Sequence, residues 1–98
     1  MILELLHKDP KKSIKLQQFP VIIGQGKNDD VVSLNDSSIG HYQCMIDTHN
    51  DGFMVWDLGT KLGTTINGVS IKENMSLRHN DEIIIGNDNF TALIGTAQ

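Results

Sequence analysis

The chain has 98 residues, enough for one domain that buries roughly two thirds of its unfolded surface in a single core, and residues 1–98 are read as that one domain. Eight basic against twelve acidic side chains give a net charge of -4, and no lysine cluster exceeds Lys11-Lys12. Phosphate neutralisation drives nucleic-acid binding, so this balance argues against a nucleic-acid or anionic-membrane surface. A lone Cys44 excludes an intramolecular disulfide and a cysteine-based metal site, and points to a reducing, cytoplasmic setting.

In chain order the pattern is short β-rich runs closed by turns. Ile2 to His7 reads as a strand, Asp9-Pro10-Lys11-Lys12 as a turn, and Ser13 to Gln17 as a second strand with Ile14 and Leu16 on one face. Phe19 to Ile23 is a third run, with Pro20 near its start where a missing donor does least harm. A polar loop over 24–30 precedes a short run from Val31 to Leu34, and Asn35 to Ser38 carries turn chemistry. From Gln43 to His49, Cys44 and Ile46 share one face, while Gln43, Met45 and Asp47 share the other. Asn50-Asp51-Gly52 then closes a hairpin into Phe53 to Trp56. Thr64 to Ile66, Val69 to Ile71, Glu82 to Ile85 and Phe90 to Ile94 complete the set, with Asn67-Gly68 as a tight hairpin turn.

No helical stripe appears, and no stretch approaches the ~20 apolar residues of a membrane span. Short strands at close spacing predict an all-β, antiparallel two-sheet sandwich. Its core is expected from Leu3, Leu5, Ile14, Leu16, Val21, Ile23, Cys44, Ile46, Val55, Ile83, Ile85 and Phe90.

Catalytic and cofactor motifs fail on inspection. Asp47 to Gly52 has a calcium-loop flavour, but His49 takes a ligand position and Leu58 stands where a bidentate glutamate is required. Gly24-Gln25-Gly26-Lys27 starts like a phosphate loop, yet Asp29 occupies its third glycine position and no crossover helix follows. His7, His41, His49 and His79 lack metal spacing, and no nucleophile–base pairing can be argued. The expectation is a non-enzyme without cofactor or metal.

The blocks 19–24, 28–32, 36–39, 51–52, Asp57-Leu58-Gly59-Thr60-Lys61-Leu62-Gly63-Thr64, Asn67-Gly68, Leu77 and 81–86 together resemble a forkhead-associated (FHA) domain. The resemblance implies about eleven strands in two sheets, with apical loops over 24–30, 36–43 and 59–67 that in the family hold a phosphothreonine peptide. Gln25, Lys27, Gly40, His41, Thr60, Lys61, Leu62 and Asn67 are the corresponding candidates for peptide or partner contact.

The family's phosphate-side pattern is altered at these positions. Gln25 stands for the family's arginine, Gly40 for the serine, Gln43 for the buttressing histidine and Leu62 for the peptide-gripping asparagine. The resemblance therefore implies a protein-interaction or assembly module independent of phosphothreonine, as in some bacterial secretion and signalling proteins. The alternative is a phosphothreonine reader with atypical contacts from Lys27, His41 and Lys61. Exposed Tyr42, Met45 and Leu62 would suit a protein partner.

Overall fold

In the first strand, β1 (Ile2–Lys8), Leu3, Leu5 and His7 are buried while the residues between them stay half exposed, the period-2 pattern of a sheet with one face on a core. A computed structural model of the chain describes residues 1–8, 11–25, 31–33, 39–40, 42–50, 52–59 and 62–95, with 31–33 described by their backbone. The strands that follow are β2 (Lys11–Leu16), β3 (Val21–Gly24), β4 (Val31–Ser33), β5 (Cys44–His49), β6 (Gly52–Asp57), β7 (Thr64–Ile66), β8 (Val69–Ser70), β9 (Asn74–Leu77), β10 (Glu82–Ile85) and β11 (Asp88–Gly95). They form a six-stranded sheet, β2-β1-β11-β10-β7-β8, and a five-stranded sheet, β4-β3-β5-β6-β9. No helix among the described residues is long and apolar enough to cross a membrane.

One core cluster draws on both sheets. Leu3, Leu5, Leu16, Ile66, Ile83, Ile85, Phe90 and Ala92 come from the six-stranded sheet, and Val21, Ile23, Cys44, Ile46, Phe53, Val55 and Leu77 from the other. Phe19 packs on Phe53 with ring centroids 4.8 Å apart. Opposite the core, the outer face of the five-stranded sheet carries a half-buried row, because Ile22 pairs with Met45 and Met45 with Trp56.

The sandwich expectation holds, with differences in detail. Pairing is antiparallel except between β3 and β4, which run parallel with Ile22 opposite Val31. Ile14 is only partly buried, since β2 is an edge strand with a single neighbour to cover it. Strand β2 begins at Lys11, two residues earlier than the turn reading allowed, while Asp9 and Pro10 lie outside the described residues. β9 escaped the sequence reading altogether, because Asn74 and Ser76 face out and Leu77 is its one deep anchor. It is held as an edge strand by its register with β6, Leu77 opposite Phe53.

Cys44 sits in this core at 0 % exposure. Burial, and then the neighbouring Asp57 carboxylate, push its thiol from 9.0 up to about 12, with a Thr64 hydrogen bond opposing. Because the folded value lies above the unfolded one, this group's stabilising contribution is complete below about pH 9 and is lost as pH climbs toward 12. A thiol-specific disulfide reagent should therefore leave Cys44 unlabelled in the native protein at neutral pH and label it promptly in denaturant.

Candidate functional site

The end of the sandwich where β3 stops, β5 starts, β6 stops and β7 starts gathers the loops around one buried amide. Gln43 directly precedes β5 and is 0 % exposed, although the alternation placed it on the outer face. Loops fold over it, and its hydrogen bonds show why an uncharged amide is tolerated there. The Gly40 N–H donates to Gln43 Oε1 (3.2 Å), and Gln43 Nε2 donates to the Gly63 carbonyl (2.7 Å). Its backbone joins in, with Gln43 N–H donating to Ile23 O (2.8 Å) and Leu58 N–H donating to Gln43 O (3.1 Å). One residue thus ties the end of β3, the segment before β5 and both ends of the β6–β7 loop. A buried polar side chain stays at low cost only when so satisfied.

The β6–β7 loop has its own clamp. Asp57 accepts from the Gly59 N–H (3.0 Å) through one carboxylate oxygen and from the Thr64 hydroxyl (3.0 Å) through the other. Gly59 and Gly63 sit at φ 77° and 76°, where glycine avoids the strain a side chain would meet. The Gly63 carbonyl also accepts from Gly86 N–H at 3.3 Å, which ties the loop to the turn after β10.

Several candidates from the sequence meet at this junction. Gln25 is half buried and its N–H donates to the Gly40 carbonyl at 2.9 Å, while Leu62 projects beside Gly63. Lys27, His41, Thr60 and Lys61 lie outside the described residues. Asn67 is not brought to the junction. Thr64 pairs with Ile85 and Ile66 with Ile83, so Asn67 sits past the far end of β7, bonded to Asp81 and Glu82. Met45, expected to be exposed, is half buried on the sheet's outer face.

The sequence reading missed Leu58. Tyr42, Leu58 and Leu62 are 47 %, 41 % and 49 % exposed, three of the five large exposed hydrophobics among the described residues. Tyr42 adjoins Gln43, the Leu58 N–H donates to its carbonyl, and Leu62 adjoins its partner Gly63. Among the described residues of these loops, 24–25, 39–40, 42–43, 58–59 and 62–63, there is no lysine, arginine or histidine. Arg78, the single arginine, follows β9 on the side of the β9–β10 turn, where its N–H donates to Asp81 Oδ2 at 2.8 Å.

A family model for the FHA domain matches residues 21–86, more than half of the chain. The chain belongs to the FHA domain family. Solved FHA domains share its fold. A domain from a structural and functional analysis of phosphothreonine-dependent FHA interactions matches at 20% identity and TM-score 0.84, covering 99% of this chain and 100% of that one. The FHA domain of the CT664 protein of Chlamydia trachomatis matches at 22% identity and TM-score 0.85, covering 98% and 100%. Mycobacterium tuberculosis EmbR, solved with a low-affinity phosphopeptide, matches at 20% and 0.87, covering 99% of this FHA domain and 25% of the EmbR chain. At such identities the likeness speaks for the FHA fold. No curated protein matches this FHA domain by sequence.

Proposed function

We propose that this FHA domain is a non-catalytic protein-interaction or assembly module whose apical loops take a protein partner without depending on phosphothreonine. The observation that carries the reading is the exposure of Tyr42, Leu58 and Leu62 on the segments that meet at Gln43, whose amide is already engaged by Gly40 and Gly63. A phosphate bears about -1.5 to -2 charges and calls for charge-assisted donors. Gln25 offers neutral N–H groups, Gly40 no side chain and Leu62 no polar atom. Each lost charged hydrogen bond costs on the order of 1.5–3 kcal/mol, so three would remove most of the about 8 kcal/mol behind micromolar affinity. Gln25, Gly40, Tyr42, Leu58 and Leu62, joined by Lys27, His41, Thr60 and Lys61, form the proposed contact set. A cytoplasmic setting fits the single buried thiol.

The second reading, a phosphothreonine reader served by Lys27, His41 and Lys61, draws on the likeness to EmbR with its phosphopeptide. Fluorescence anisotropy separates the two. On the first reading, phosphothreonine peptides bind less than about tenfold, or 1.4 kcal/mol, tighter than their unphosphorylated forms. The triple change Gln25→Arg, Gly40→Ser, Leu62→Asn should then create phosphate dependence, because it restores a forked cation, a hydroxyl and an amide at one junction. Micromolar, phosphate-dependent binding by the natural sequence would establish the second reading instead.

A further inference from the structure

Asn67-Gly68 forms the turn between β7 and β8 with both residues at positive φ, 51° and 82°, and both exposed. Beyond its two chain neighbours, no atom lies within 4 Å of where a Cβ on Gly68 would be, so no other part of the chain crowds that face of the turn. An asparagine side-chain amide followed by glycine is the pairing most open to intramolecular attack. Here, however, both ends of that amide are held. Asn67 Nδ2 donates to Asp81 Oδ1 (3.0 Å), the Glu82 N–H donates to Asn67 Oδ1 (2.9 Å), and Asn67 N–H donates to Glu82 O (2.7 Å). These bonds latch the end of β7 to the start of β10.

We propose that Asn67 is a self-modification site, a deamidation switch restrained by Asp81 and Glu82, whose product opens the latch between β7 and β10. In the reaction the Gly68 nitrogen loses its proton and attacks Asn67 Cγ. The N–Cγ bond forms, the Cγ–Nδ2 bond breaks, and ammonia leaves with that proton. Water then opens the cyclic imide at either carbonyl, giving aspartate or, with an extra carbon in the main chain, isoaspartate. Either product removes the Nδ2 donor from Asp81 Oδ1, and in aspartate a carboxylate takes its place, so an attraction becomes a repulsion between like charges. Isoaspartate also lengthens the turn and breaks the Ile66–Val69 register. β7 is three residues long, and just before it Gly63 holds Gln43 and Gly86, so releasing the turn loosens the seat of the β6–β7 loop.

The test ages the natural chain at mildly alkaline pH, with and without denaturant, and maps the products by peptide mass spectrometry and enzymatic isoaspartate methylation. The proposal expects Asn67 to convert before any other asparagine, at least about tenfold more slowly in the folded than in the denatured chain, a barrier difference of about 1.4 kcal/mol. Asp81→Ala should bring the native rate toward the denatured one. Should that variant not fold, Asn67→Asp decides, since it should melt well below the natural protein at neutral pH, with the gap narrowing below about pH 4 as carboxylates protonate. Equal rates in the folded and denatured chain, or an Asn67→Asp variant melting like the natural protein at neutral pH, overturns the proposal.

Discussion

Gln43→Glu is expected to fold normally in mild acid and to lose up to about 4 kcal/mol of stability by neutral pH. A protonated glutamic acid has nearly the shape of glutamine and can still accept from the Gly40 N–H while its hydroxyl donates to Gly63 O. Ionised, it would set a carboxylate against that carbonyl at a fully buried position. Burial raises its folded pKa above the unfolded value of about 4.3, so stability is retained below that pH and falls by about 1.4 kcal/mol per unit as pH rises through the gap. Chemical denaturation at a series of pH values measures the slope. Gln43→Leu is the control, losing roughly 1–3 kcal/mol at every pH because the Gly40 N–H is left without its acceptor. A flat profile for Gln43→Glu would mean that the loops open and admit water to the junction.

Phe53→Ala should cost about 3–5 kcal/mol, against a total of about 5–15 for a domain of this size. Phe53 is 2 % exposed, lies opposite Thr48 on β5 and Leu77 on β9, and supports the Phe19 ring from inside. Removing the ring leaves a void bounded by strands whose hydrogen bonds keep them from collapsing inward. At roughly 4–8 °C per kcal/mol the melting point should fall by well over 10 °C. Calorimetry checks this, and a drop of only a few degrees would show that β9 closes over the gap.

The core was legible where apolar residues were dense. Leu3 and Leu5 in β1, and Ile83 and Ile85 in β10, stand in dense apolar runs beside a single acidic residue that fixes which face is which, and all are fully buried. Phe53, Ile66 and Leu77 carry no such signal in runs of three to six residues, and their burial is decided by partners distant in sequence. The candidate site was harder to read for a related reason. Gln43 continues the alternation of β5 onto the solvent side, and only loops closing from three directions make it interior. Leu58 follows Asp57 in a stretch rich in turn signals, and its exposure depends on how Asp57 turns the backbone at Gly59. Asn67-Gly68 was read correctly as a turn, but distance along the chain gave no indication that β7 would carry it away from Gly63.

The outward row of Ile22, Met45 and Trp56 gives the protein a built-in optical reporter. Trp56 is the sole indole in the chain and stands on the side of its strand opposite buried Val55. Its emission colour should therefore shift, without any added label, when a partner covers that face of the sheet and shields the indole from water.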